Sequence, residues 1–283
     1  SVAAGEALGI VGESGCGKTT FGKTIMGIHE PTEGEVHFEG RLVAAPGRAR
    51  PPAVRARLQY VYQDPGASLD PNWRLRRSLH EPLVIHTTLP RAEREARIRE
   101  IIAAVGLPDA HLELYPHEIS GGQQRRVGLA RILALEPKLV ILDEPTSGLD
   151  VSVQASVLAL FRDLRARFGL TYLFISHDLA VVRQLCHRVM VLYLGRVVEL
   201  ADGPALYGDP RHPYTKALLS AVLTPDPKAE RGRQRLLLSG DPPSPLDPKA
   251  QLRFLPSRLG DGPEQYRPKL IEIAPGHLVA EHD

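Results

Sequence analysis

Cysteine is scarce: Cys16 and Cys186 are the only two in 283 residues. Their separation matches no metal-ligand spacing, and a disulfide framework in a chain of this size needs more of them, so a reducing compartment is expected. Long apolar runs are missing too. Nothing approaches the roughly 18 consecutive apolar residues of a membrane-spanning helix, and the chain does not open on a basic segment followed by an apolar one. Neither a bilayer span nor a signal peptide is therefore expected. Charge of one sign is also not in excess: 35 Lys and Arg against 33 Asp and Glu leave +2, which gives no electrostatic reason to expect nucleic acid or an anionic surface as partner. Hydrophobic residues at 43% and charged residues at 24% are ordinary for a globular protein and exclude disorder or a fibrous repeat. The length suffices for one large α/β domain with an appendage, or for two modest domains.

Two apolar, β-branched segments bounded by turn residues read as buried parallel strands: 8–11 before a glycine loop, and 139–142 before an acidic pair. Residues 172–175 and 189–194 read likewise and follow a helical stretch at 153–168, the strand and helix alternation of a parallel sheet. The expected class is α/β. A helix is expected over 92–105, because Ile98, Ile101, Ile102 and Val105 share a face, Pro90 can start it and Gly106 can stop it. Its Arg94, Arg97 and Arg99 are interleaved with Glu93, Glu95 and Glu100 and read as a solvated face. From about Asp202 the pairs Gly203-Pro204, Asp209-Pro210, Asp241-Pro242 and Gly262-Pro263 mark a loop-rich region where a second domain is expected to start.

Gly12-Glu13-Ser14-Gly15-Cys16-Gly17-Lys18-Thr19 follows a candidate strand and precedes a helical stretch, the context a phosphate loop requires. Glycines let backbone N–H groups converge on a phosphate, the helix adds the positive end of its dipole, Lys18 adds charge and the Thr19 hydroxyl can reach magnesium. Gly12, Ser14, Gly15, Cys16, Gly17, Lys18, Thr19 and Thr20 are the candidate nucleotide-binding residues, Thr20 chiefly filling the helix start; a plain glycine turn is the alternative. Asp143 and Glu144 sit at the end of a buried strand, where open parallel sheets place their ligand crevice. Asp143 is the candidate magnesium ligand and Glu144 the candidate general base on an attacking water; a helix-capping acidic pair is the alternative. Ser120-Gly121-Gly122-Gln123 opens another helical stretch and offers free N–H groups to a second anion. One γ-phosphate does not need two such cradles from one chain, so two copies acting head to tail are expected.

Taken in this order, the motifs resemble those of ABC ATPases, with residues 120–123 as the signature motif between the phosphate loop and the Asp143 strand. The resemblance implies a P-loop NTPase core and further roles: Gln63 as the Q-loop glutamine contacting magnesium and the transporter, the Asp150 loop as D-loop, and His177 as the switch histidine. Read alone, a histidine after a strand is more often structural and a lone glutamine carries no information. Residues 63–71, 115–118 and 212–219 further resemble oligopeptide and dipeptide importer ATPases, and the similarity runs through Gly240-Asp241-Pro242-Pro243-Ser244-Pro245 to Pro275-Gly276-His277. In that group the C-terminal tail often carries cysteines for an iron–sulfur cluster; here the stretch holds Leu252, Arg258 and Glu281 and no cysteine, so no cluster is expected.

The resemblance implies an ATPase domain at 1–201 with a helical subdomain at about 66–135, and a proline-rich extension at 202–283. It implies ATP and magnesium as cofactors, a second ABC ATPase subunit, two transmembrane permease subunits and an extracytoplasmic solute-binding protein as partners, and a peripheral place on the cytoplasmic face of the cell membrane. The expected function is ATP hydrolysis coupled to peptide uptake. Import of another solute such as nickel or glycans, or a soluble ABC ATPase acting on DNA or ribosomes, is the alternative. The chain opens at Ser1 with eleven residues before the loop, which reads as a missing N-terminal stretch, so no adenine-stacking aromatic is named. Tyr60 and Tyr62 read as core or interface residues, Cys16 as a loop spacer and Cys186 as a buried small apolar residue.

Overall fold

The computed structural model describes residues 1–48, 50–51, 54–62, 65–222, 236, 247, 250, 252–261 and 268–283. Gln63, Asp64 and the segments 240–245 and 262–263 singled out above lie outside the described residues. The elements run β1 (Ala7–Val11), α1 (Lys18–Met26), β2 (Val36–Phe38), β3 (Arg41–Ala44), β4 (Leu58–Val61), α2 (Leu75–His86), α3 (Arg91–Ala104) and α4 (Gly121–Leu133). Then follow β5 (Leu139–Asp143), α5 (Val151–Phe168), β6 (Thr171–Ile175), α6 (Leu179–Leu185), β7 (Arg188–Tyr193), β8 (Arg196–Asp202), α7 (Gly203–Gly208), α8 (Pro213–Ser220), β9 (Leu270–Ala274) and β10 (His277–Ala280). No helix among the described residues is long and apolar enough to cross a membrane.

By contact, these residues form two compact bodies, each discontinuous in sequence: Ser1–Glu6 with Gly22–Leu173, and Ala7–Phe21 with Phe174–Asp283. In the first, β4 and β5 pair in parallel, Tyr60 opposite Ile141. Every residue of β5 but Leu139 is buried, as expected of a strand covered on both faces. Helices α2 to α4 bury Leu75, Leu79 and Leu83, then Ile98, Ile101 and Ile102, then Val127, Ala130 and Leu133, the three- and four-residue spacings of one apolar stripe per helix. Gly106 (φ 74°) ends α3, and Gly169 (φ 60°) ends α5 with its N–H donated to Arg165 O. On the charged face of α3, Glu93, Arg99 and Glu100 are exposed as expected, but Glu95 pairs with Arg76 and His80, and Arg97 with Glu136, so these two are half-buried in ion pairs.

In the second body β1 and β7 pair in parallel, with all of β1 buried, and β7, β8, β10 and β9 continue as an antiparallel ladder. The region after Asp202 thus contributes α7, α8, β9 and β10, more regular structure than its Pro and Gly content suggests. Gly9 has no room for a side chain: a Cβ there would meet Val182 Cγ1 at 2.4 Å, which lets α6 lie directly on β1. Cys186 is half-exposed, not buried as expected, because it caps the last turn of α6.

Candidate functional site

The glycine loop spans β1 and α1 and is shaped by what it touches. Gly12 cannot be replaced without movement, since a Cβ would stand 2.3 Å from Leu192 O and 2.7 Å from Cys16 Sγ. Gly15 (φ 81°) and Gly17 (φ 99°) supply left-handed backbone that carries the chain over the helix start. Across from them the Gly195 N–H donates to Cys16 O at 2.8 Å, so the turn between β7 and β8 braces the loop from behind. Lys18 is 5% exposed. Its Nζ donates to Gly12 O at 2.7 Å and Glu13 O at 2.9 Å, holding the ammonium inside the loop's curve. Cys16 lines the same curve, its Sγ 3.9 Å from Lys18 Nζ; burial pushes its thiol pKa up and the lysine charge offsets part of that. Ser14, Thr19 and Thr20 are exposed at the mouth. The Glu13 N–H donates to the hydroxyl of Tyr214, 3.0 Å away on α8. His177 is exposed just after β6, and the Ser176 N–H donates to Ile10 O at 3.1 Å, so His177 and the loop leave the same ends of their strands. Asp178 beside it caps α6 through the Ala180 and Val181 N–H groups.

The carboxylates lie in the other body. Asp143, 8% exposed, ends β5 and accepts a hydrogen bond from the Tyr60 hydroxyl at 2.6 Å. Burial first, then this bond to the carboxylate, raises the Tyr60 phenol pKa, so the tyrosine stays a donor. Tyr60 is buried, as its core-or-interface reading allows, whereas Tyr62 is 51% exposed, its ring centroid 4.8 Å from that of Tyr60, which leaves interface as the reading for Tyr62. Glu144 is half-buried with φ 48°. At the start of α4, Ser120 and Gln123 form a reciprocal cap: the Gln123 N–H donates to Ser120 Oγ at 3.3 Å and the Ser120 N–H to Gln123 Oε1 at 2.9 Å. A Cβ on Gly121 or Gly122 would meet nothing within 4 Å, so no described neighbour requires glycine there. Asp150 caps α5; the Val153 N–H and then the Ser152 hydroxyl hold its carboxyl below the usual range.

Two side chains at these sites carry no role in the sequence reading, Tyr60 on Asp143 and Tyr214 on the loop. Their partners are 83 and 201 residues away in sequence, so no local pattern announces them. The buried Asp143 carboxylate, with the neutral Tyr60 hydroxyl as a donor, is a hard oxygen ligand of the kind magnesium takes.

Residues 1–147 match the family model described as ABC transporter. The chain belongs to the ABC transporter family. Residues 198–257 match a second model, described as the C-terminal region of oligopeptide/dipeptide transporters. The oligopeptide transport ATP-binding protein AppF of Bacillus subtilis is 46% identical over 286 residues, covering 100% of this chain and 87% of that one. Among solved structures, cbiO1 from Clostridium perfringens, part of the ABC transporter complex cbiONQ, aligns with a TM-score of 0.66 and 26% identity over 74% of this chain and 82% of its own. A dimeric ATP-binding cassette in a post-hydrolysis state, bound to ADP and Pi, aligns with a TM-score of 0.61 and 28% identity over 71% and 87%. This ABC chain therefore has the α/β P-loop fold of ABC ATPase domains, binds nucleotide and is an ATPase.

Proposed function

We propose that this ABC ATPase drives uptake of peptides, with ATP in the loop at 12–19, an ATPase domain at 1–201 carrying a helical subdomain at about 66–135, and a C-terminal extension at 202–283. The observation that carries the peptide assignment is the match of 198–257 to the oligopeptide/dipeptide transporter C-terminal region, in line with the similarity to AppF. The ATP site rests on the loop itself: Lys18 Nζ is held by the Gly12 and Glu13 carbonyls inside the loop's curve, where its charge would meet phosphate oxygens. Thr19, Asp143 and Gln63 are the residues that would hold magnesium, which would supply positive charge against the phosphates. Glu144 takes a proton from the attacking water, and His177 polarises the γ-phosphate end of the reaction.

A second ABC subunit completes each site: its Ser120, Gly121, Gly122 and Gln123 face the γ-phosphate and its Asp150 loop lies beside them. The open space over Gly121 and Gly122 supports a ligand reached in trans, as does the dimeric state of the cassette bound to ADP and Pi. Closure and reopening of the pair are passed through the region 63–130 to two transmembrane permease subunits on the cytoplasmic face of the membrane, and a solute-binding protein delivers the peptide from outside. The test is the ATPase rate of the complex purified with its membrane subunits, with and without binding protein loaded with peptide. Stimulation by the peptide-loaded form is the expected result; a rate indifferent to it discards the peptide assignment and leaves the ATPase.

A further inference from the structure

The contact between Tyr214 and the loop joins the C-terminal region to the nucleotide, and it is built with more care than packing requires. Tyr214 is fully buried, its ring centroid 4.7 Å from Tyr193 and 6.2 Å from Phe254. Its own N–H donates to Nδ1 of His212, the residue that caps α8, at 3.2 Å. The start of α8 is held in turn by Glu199 of β8, which has no solvent exposure. Glu199 Oε1 accepts from the Arg211 N–H at 2.9 Å and Oε2 from the His212 N–H at 3.0 Å. His277 of β10 closes the set, its Nε2 at 2.8 Å from Glu199 Oε1. A continuous hydrogen-bonded path thus leads from β10 through Glu199, His212 and Tyr214 to the backbone of Glu13, one residue inside the phosphate loop.

We propose that Tyr214 is a positioning residue of the nucleotide site: its hydroxyl takes up the Glu13 N–H and fixes the shoulder of the loop, so that the C-terminal region sets how tightly the di- or triphosphate is held. The inference rests on residues 12–19 being the site of the phosphates. Physically, a loop whose N–H groups must converge on an anion binds best when its conformation is set beforehand, because ordering it during binding subtracts from affinity. Without the phenol oxygen, the part-buried Glu13 N–H loses its acceptor and the loop gains freedom that phosphate must remove. Nucleoside without phosphate gains nothing from that order.

The experiment uses the full chain and three substitutions, with ADP and adenosine as probes in equilibrium dialysis. Tyr214→Phe keeps the ring and removes only the hydroxyl. Tyr193→Phe removes a buried hydroxyl that has no hydrogen-bond partner among the described residues of the same aromatic cluster and serves as control. Lys18→Ala tests the site itself. Expected is ADP affinity weaker by about 3- to 10-fold in Tyr214→Phe, the scale of one hydrogen bond. One site per chain, unchanged adenosine binding and ligand-free melting like that of Tyr193→Phe are expected alongside. KM for ATP rises in step while kcat at saturating ATP falls less than twofold. An affinity equal to wild type, an equal loss in Tyr193→Phe, or a loss that appears as fewer binding-competent chains overturns the positioning role. Retention of ADP binding by Lys18→Ala overturns instead the location of the site at 12–19.

Discussion

Glu144 takes a backbone conformation that an L side chain resists, at φ 48°, for a cost on the order of 1 kcal/mol. Asp143 ends β5 buried, its carboxylate accepting the Tyr60 hydroxyl, while Glu144 beside it is only half-buried. The two adjacent acids thus have different surroundings, in keeping with the proposed roles of cation ligand for Asp143 and general base for Glu144. At this scale the expectation is that Glu144→Gln retains ATP binding and lowers turnover by at least ~100-fold, as loss of a general base requires. Single-turnover hydrolysis beside ATP affinity reads both, and near-normal turnover removes Glu144 from that role. Tyr60 shows why residue roles were only partly legible in the sequence: Asp143 and Glu144 stand together in the chain, whereas the phenol that holds Asp143 arrives from a different strand.

Among the elements, α8 depends on an unusual cap. His212 accepts the Tyr214 N–H on Nδ1, and burial first, then the charges of His282 and Lys216, push its pKa down from 6.5 to about 3. In the unfolded chain this histidine binds a proton below about 6.5, and in the folded chain it does not until about 3. Stability is therefore lost as pH falls through that window, by up to about 1.4 kcal/mol per unit from this group. His212→Asn keeps a capping acceptor and removes the titration. Urea unfolding at about pH 7 and about pH 4.5 is expected to show a smaller acid loss in the variant than in the wild type; equal losses show that His212 does not contribute.

The same scale explains which elements could be read in advance. β1, β5, β6 and β7 announce themselves because a strand buried on both faces must be apolar throughout, and α3 and α5 because each keeps one stripe and ends on glycine. β8 carries Glu199 at a buried position, which breaks the pattern; His277 and the N–H groups of Arg211 and His212, all further along the chain, make that carboxylate tolerable. β9 is exposed along its whole length and offers no apolar alternation to a reader of the sequence. The phosphate loop is legible because glycines at fixed offsets are demanded by backbone geometry, and its support by Tyr214 is not, because a hydroxyl accepting an amide proton leaves no spacing rule.

For the whole molecule, the proposed trans arrangement separates binding from hydrolysis. Ser120→Arg fills the open space before α4 with a long cation, and the chain is expected to keep ADP affinity within about twofold while the assembled pair loses ATP hydrolysis, since the altered segment serves the partner's site. ADP titration of the variant alongside its ATPase rate decides the matter, and loss of the variant's own ADP binding contradicts the arrangement.

The body that contains the phosphate loop joins Ala7–Phe21 to Phe174–Asp283 and is therefore assembled from two stretches far apart in the chain. The Glu13 N–H and the phenol that receives it are 201 residues apart. At ribosomal speeds of about 5–20 residues per second, the loop emerges roughly 10 to 40 s before Tyr214 is synthesised. Through that interval a nascent chain carries the loop's sequence without its scaffold. Nucleotide that binds the scaffolded loop can therefore stabilise the finished protein but not the growing one.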